Sequence, residues 1–289
     1  MAGFFYEPRQ TVQFFKFKLN ISKMKFKYKT NLFKSLFVFI VLVVQIAQAQ
    51  PMKLKPTANV SPERVLFVGN SYFYYNNSLH NHVSNLVKSA DPVLASKVQF
   101  KSATIGGAAL SHHNMDHLTT PGRIGVAQPF QWVVMQGGSG EALSPRRRET
   151  FRQTAIANAE IIRSRGGQVA LYMTPAYVKP HKQVSPQNMS ATEAMYVSVG
   201  NEIAALVIPV GLAFEEAYRR FPEMQLHNKD GTHPSLLGTY LAACTTWAAL
   251  YGQSPVGNTY RADGAIDQPV ALQLQQVAQD VVAEFYARQ

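Results

Sequence analysis

With a single cysteine, Cys244, the chain has no internal disulfide. That cysteine sits in the apolar run Leu241-Ala242-Ala243-Cys244, where core filling is its expected role. Stability then rests on the core, and 289 residues are enough for one large core or two small ones. Long hydrophobic runs are missing too. The most apolar stretch, starting at 35–44, extends over about a dozen residues, short of the roughly 20 that span a bilayer. There is no internal repeat, no low-complexity tract and no sign of a second domain. No His-Glu-x-x-His zinc signature and no Gly-x-Ser-x-Gly elbow occur.

Charge is unevenly spread. The formal net charge is +11, from 28 Lys/Arg against 17 Asp/Glu. Residues 1–49 contain eight Lys/Arg and one Glu, a net of +7, which leaves about +4 for the rest. That weak balance excludes nucleic-acid binding on charge. The basic segment reads as an export signal: Lys25, Lys27, Lys29 and Lys34 precede the apolar stretch, and Ala47-Gln48-Ala49 is a small-x-small cleavage site. Met24 is a more usual start than Met1. No Cys follows the apolar core, which argues against a lipoprotein anchor. The expectation is a periplasmic or extracellular protein with no stable membrane association once the leader is cleaved. Residues 50–62, with Pro51, Pro56 and Pro62, read as a linker, and 63–289 as the folded domain.

Within that domain, short apolar runs alternate with helical patterns. Strands are expected at 65–68, 98–103, 132–135, 168–173 and 207–210. Helices are expected at 79–90, 108–118, 146–165, 192–206, 212–221, 235–251 and 268–287, with a loop at 72–77. Alternation of this kind predicts a parallel sheet covered by helices on both sides, a three-layer α/β/α sandwich.

Two stretches carry chemistry. Asp230-Gly231-Thr232-His233-Pro234-Ser235 places an acid and an imidazole three residues apart. Val65-Leu66-Phe67-Val68-Gly69-Asn70-Ser71-Tyr72 runs an apolar strand into a glycine and then presents a hydroxyl at its carboxyl end, the edge where open α/β sheets place their sites. A serine becomes a nucleophile when a base takes its proton. Ser71, His233 and Asp230 therefore read as nucleophile, base and orienter. Each stretch alone also fits a turn followed by a helix cap, with Ser235 capping the next helix. Their occurrence together in one α/β chain favours the hydrolytic reading.

These residues resemble the SGNH (GDSL-type) hydrolase superfamily over roughly 63–255. Gly69-Asn70-Ser71 resembles the first block, with Asn70 where Asp is usual, and Gly107 resembles the glycine of the second. Asp230-Gly231-Thr232-His233-Pro234 matches the last block. The runs 238–243 and 252–255 are similar to how that block continues in some members. The resemblance implies a flavodoxin-like fold, Ser71, Asp230 and His233 as triad, and an oxyanion hole built from the Ser71 and Gly107 N–H groups. It implies no cofactor and no metal. The third block departs: Gln136-Gly137-Gly138-Ser139-Gly140-Glu141 lacks the Asn that would donate the third oxyanion hydrogen bond. Gln136 is the expected replacement, since it carries the same amide, with Ser139 as the less favoured choice.

Other residues are weighed around this site. Asn70, Tyr72, His112 and His113 are candidates to contact substrate. His113 and His117, four apart, would share a helix face and could bind a metal, although pocket lining or surface exposure is the simpler reading. Tyr72-Phe73-Tyr74-Tyr75 could stack on a sugar ring or an acyl chain, or pack the loop. Arg146-Arg147-Arg148 reads as a solvated cluster. The expected activity is that of an exported serine esterase acting on a small-molecule or glycan ester, including O-acetyl groups. The competing expectation is a non-catalytic carbohydrate-binding protein on the same scaffold, motivated by the missing third-block Asn.

Overall fold

Val65, Leu66, Phe67 and Val68 are all fully buried, because the strand they form is paired on both edges and covered on both faces. The structure, a computed structural model, describes residues 50–288 apart from Asn59. The expected leader, with its start at Met24 and its cleavage point after Ala49, lies outside the described residues. The elements run β1 (Arg64–Gly69), α1 (Ser71–Tyr74), α2 (Leu79–Ala90), α3 (Pro92–Ala95), β2 (Gln99–Thr104), α4 (Met115–Thr119), β3 (Trp132–Gln136), α5 (Pro145–Ser164) and β4 (Gln168–Tyr172). They continue with α6 (Asn188–Glu202), β5 (Leu206–Ile208), α7 (Val210–Arg220), α8 (Leu236–Tyr251) and α9 (Gln268–Ala287).

The five strands form one sheet in the order β2-β1-β3-β4-β5, and every pair is parallel. The chain steps one way from β1 to β2 and then crosses to the other side of β1 to build β3, β4 and β5. That reversal opens a crevice at the carboxyl ends of β1 and β3. Right-handed crossovers assign the helices to faces. On one face α8 packs against α2, α7 and α9; on the other, α5 packs against α4 and α6. This is the expected three-layer α/β/α sandwich. Among the described residues no helix is long and apolar enough to cross a membrane.

Local chemistry sets the helix starts. Ser144 Oγ accepts from Arg147 N–H (3.3 Å) ahead of Pro145, the first residue of α5. Ser235 Oγ accepts from Gly238 N–H (3.2 Å), so the serine after the Asp-Gly-Thr-His-Pro run does cap α8. Three expectations need correction. The segment 108–118 is not one helix: a 3₁₀ turn (Leu110–His112) ends before Asn114, whose side chain caps α4 by accepting from His117 N–H (3.0 Å). The loop at 72–77 opens with the helical turn α1. And α6 covers Asn188–Glu202, four residues earlier than expected, because Ala204 adopts a positive φ of 49° and Leu206 enters β5.

The described residues of 50–62, the expected linker, carry no helix or strand and are packed down. Met52 is buried, and the Asn201 side chain bonds both neighbours, accepting from Lys53 N–H (2.8 Å) and donating to Pro51 O (2.9 Å). Pro56, Thr57, Val60 and Pro62 wall a cleft against Trp132, Gln168 and Leu206, the first residues of three strands. The segment thus lies along the amino edge of the sheet.

Gly238, in the first turn of α8, tests how tightly this layer is fitted. A Cβ there would sit 2.1 Å from Leu226 O and 2.9 Å from the Phe214 ring. Helix propensity alone predicts that Gly238→Ala stabilises by about 1 kcal/mol. The overlap reverses the sign: a net loss of at least ~2 kcal/mol is expected in urea unfolding.

Candidate active site

Asp230 and His233 sit on a folded-back loop. Asn228 N–H donates to His233 O (2.7 Å) and Ser235 N–H to Leu226 O (2.9 Å), which brings His227 alongside Pro234 and leaves Asp230 at the tip. The two oxygens of Asp230 divide their work. Oδ1 accepts from the N–H groups of Thr232 (2.9 Å) and His233 (3.0 Å), which shapes the turn. Oδ2 accepts from His233 Nδ1 at 2.6 Å. Burial pushes the Asp230 carboxyl upward, but these hydrogen bonds outweigh it and hold the group below the usual aspartate range. Gly231 has φ +72°, and a Cβ there would lie 2.1 Å from Val178 O, so only glycine fits this tip.

An ionised carboxylate only accepts, so His233 carries its proton on Nδ1 and offers Nε2 as acceptor. Ser71 Oγ lies 2.8 Å from that Nε2 and donates to it. Ser71 is the first residue of α1, immediately past β1, and is 6% exposed. The structure therefore brings Ser71, His233 and Asp230 together in the relay geometry read from the sequence. The Ser71 and Gly107 N–H groups have no hydrogen-bond partner among the described residues. Gly107 has φ +69°, in the loop after β2.

Gln136 does not serve as the expected oxyanion donor. It is 1% exposed at the end of β3, and its Oε1 accepts from Asn70 N–H (3.0 Å). That bond fixes the amide's orientation and turns Nε2 onto Gly137 O. One of its two N–H donors is used inside the protein. A Cβ at Gly69 would lie 2.5 Å from the same Oε1, so Gln136 fills the space under the nucleophile turn.

Asn70, 3% exposed, is likewise not a substrate contact. Its Oδ1 accepts from Tyr72 N–H (3.2 Å), capping α1, and its Nδ2 donates to Ala108 O (2.9 Å), tying the turn to the Gly107 loop. Tyr72 is buried as well, its hydroxyl 2.8 Å from Thr232 Oγ1. Burial raises its phenol well above the usual range against the hydroxyls of Thr232 and Ser139.

Ser139 is half-buried in the loop after β3; its Oγ accepts from Tyr177 O–H (2.9 Å), and its hydroxyl also meets the Tyr72 phenol. His113 is half-buried. Burial lowers its pKa against the Gly69 carbonyl, which places it beside the end of β1. His112 is exposed and accepts from Ala109 N–H (3.3 Å). His113 and His117 do not share a helix, because the chain breaks between them. Among the described residues no three His, Cys, Asp or Glu side chains are grouped to hold a metal ion.

Two buried groups went unseen in the sequence. His227, stacked on Tyr218 and bonded to its hydroxyl (2.8 Å), has its pKa lowered by burial to about 4, so it supports the loop as a neutral ring. Glu141 is 6% exposed behind the third-block glycines. One oxygen accepts weakly from Leu110 N–H (3.4 Å), and the other has no partner among the described residues. A Cβ at Gly137 would sit 2.1 Å from that second oxygen. No motif flags either residue; only their surroundings do.

Comparison with solved structures settles the architecture. No protein-family model matches the sequence, and no curated protein matches it. A DUF4886 family protein from Bacteroides uniformis superposes with a TM-score of 0.57 at 19% identity, over 77% of this chain and 95% of that one. A candidate SGNH hydrolase from Slackia heliotrinireducens gives 0.52 at 22%, over 65% and 98%. The chain has the SGNH hydrolase fold. An acetylxylan esterase from Geobacillus stearothermophilus shares it, with a TM-score of 0.51 at 15% identity, over 65% of this chain and 94% of that one. In this chain the turn that carries Ser71 meets the Asp230–His233 loop through the 2.8 Å Ser71–His233 contact, and the Gly107 loop through Asn70.

Glu141 yields a pH test. Burial pushes its carboxyl up to about 7, against the Leu110 and Gly138 N–H groups and Arg147. The unfolded group titrates near roughly 4.3. Between these values the folded chain holds a proton that the unfolded chain releases. Stability from this group is therefore full below the window and is lost as pH rises through it. Wild type should lose about 1–3 kcal/mol more than Glu141→Gln between pH 5 and pH 8 in urea unfolding. The opposite contribution of His227 is common to both proteins and cancels.

Proposed function

We propose that the protein is an exported serine esterase that hydrolyses carboxylic esters, with acetyl esters on glycans as the favoured class. The observation that carries this reading is the continuous relay Ser71 Oγ to His233 Nε2 (2.8 Å) and His233 Nδ1 to Asp230 Oδ2 (2.6 Å) at the carboxyl edge of β1. His233 takes the Ser71 proton as Oγ attacks the ester carbonyl. Asp230 keeps the imidazole in the accepting tautomer and stabilises the imidazolium. The oxyanion is met by the Ser71 and Gly107 N–H groups, and Ser139, turned by Tyr177, provides the third donor in place of Gln136. The protonated His233 then returns its proton to the leaving alcohol. Water activated by His233 releases the acid and frees Ser71.

Two features support the substrate class. Acetylxylan esterases are among the structures that share the fold. Exposed Tyr74 offers a flat aromatic face suited to a sugar ring. Export is supported by the signal-like leader. A Ser71–His233 pair beyond hydrogen-bond reach would favour the binding-only reading, and the pair lies at 2.8 Å.

Hydrolysis of p-nitrophenyl acetate is the first test. Ser71→Ala and His233→Ala should each lower kcat/KM by roughly 10³-fold or more, with a smaller loss for Asp230→Asn. Turnover unchanged in the Ser71 and His233 variants, or no turnover by wild type on any ester offered, would sink the reading. A separate arm bears on the third donor: Ser139→Ala should cut kcat by roughly 10²-fold with little change in KM.

A further inference from the structure

The relay leaves one motion of His233 unrestrained. Hydrogen bonds at Nδ1 and Nε2 fix the ring within its own plane, but rotation about the line joining the two nitrogens remains open. A contact on the ring face is what stops it. Tyr75 makes that contact: its ring lies parallel to the imidazole within 9°, with centroids 4.4 Å apart. Tyr74 stacks on Tyr75 in turn, 5.5 Å between centroids.

We propose that Tyr75 is a positioning residue for His233, locking the plane of the base and stabilising its imidazolium through the aromatic face. The inference rests on the esterase reading of Ser71, His233 and Asp230. The face of an aromatic ring is the negative end of its quadrupole, so it attracts a cation far more than a neutral ring. His233 is neutral while it accepts from Ser71 and becomes a cation as the Ser71 proton arrives. The attraction therefore strengthens toward the transition state, and its effect falls on kcat rather than on KM.

The local backbone is built to hold this stack. Tyr75 closes the single helical turn that begins at Ser71, and its N–H donates to Ser71 O (3.2 Å). One turn thus carries both the nucleophile and the ring that restrains the base. The next three residues, Asn76, Asn77 and Ser78, all have positive φ (52°, 67° and 64°), a costly run for side chains with a Cβ that persists only where contacts enforce it. The enforcement is visible at Asn76. Its Nδ2 donates to Pro234 O (2.9 Å), the residue after His233, and to Thr239 Oγ1 (2.8 Å). Its carbonyl receives His82 Nε2–H (2.6 Å), whose other nitrogen meets Tyr260 O–H (2.9 Å). Both partners of the stack are therefore tied to each other through Asn76 as well as through their rings.

The test uses the full chain with Tyr75→Phe, Tyr75→Leu and pentafluorophenylalanine at position 75. The fluorinated ring keeps the aromatic shape and reverses the quadrupole, so it remains informative where leucine fails to fold. Two readouts are taken: kcat and KM on p-nitrophenyl acetate, and the NMR shifts of the His233 ring protons in histidine-labelled protein. Tyr75→Leu and the fluorinated ring should each lose roughly tenfold in kcat with KM within about twofold, and Tyr75→Phe should stay within about twofold of wild type. The ring protons should be displaced upfield by the stack in wild type and Tyr75→Phe, and move downfield in Tyr75→Leu. A kcat in the fluorinated variant equal to that of Tyr75→Phe overturns the electrostatic role. Ring-proton shifts indifferent to Tyr75→Leu overturn the positioning role. If wild type hydrolyses no ester, the esterase reading falls by itself, and the shifts alone decide whether Tyr75 holds His233.

Discussion

The hydrogen bond from Ser71 to His233 joins residues 162 positions apart. A bond of this kind contributes about 1 kcal/mol net, too little to close so long a loop unaided. The fold has to bring the two ends together first, and several contacts around the site do so. Packing of α8 on α2 joins the helix that follows the Asp230–His233 loop to the helix that follows the Ser71 turn. Tyr72 reaches Thr232, and Asn76 reaches Pro234 and Thr239, so the segment after β1 is stitched to the acid-base loop on both sides of the reacting pair. The relay distances thus depend on these other contacts being met.

The same logic explains the third block. An SGNH-like site would place an Asn amide into the crevice, whereas here the Gln136 amide is turned under the nucleophile turn to receive Asn70 N–H. The longer side chain has become part of the support. Glu141 fills the space left by Gly137 behind it, and half-buried Ser139 is bonded to Tyr177.

Much of this was legible in the sequence, for reasons that are local. Buried parallel strands read as short continuous apolar runs, so β1, β3 and β4 fell within a residue or so of expectation. Asp230 and His233 stand out because both belong to one turn, and Ser71 because it comes two residues after a strand. What escaped depends on direction rather than identity. Whether Gln136 points into the crevice or under it is decided by an N–H elsewhere in the chain. The positive φ values at Asn76, Asn77 and Ser78 leave no periodicity to detect. The shift of α6 follows from competition for Leu206 between a helix and a strand, which tertiary pairing decides.

The segment ahead of β1 has a geometric corollary. Pro51 and Lys53 are pinned by Asn201, and the path from there to β1 follows the amino edge of the sheet, while Ser71 opens at the carboxyl edge. Whatever is joined to the chain ahead of Pro51, whether a tether, a carrier or a solid support, pulls on the rear of the molecule. The edge that holds Ser71 and His233 is the opposite one.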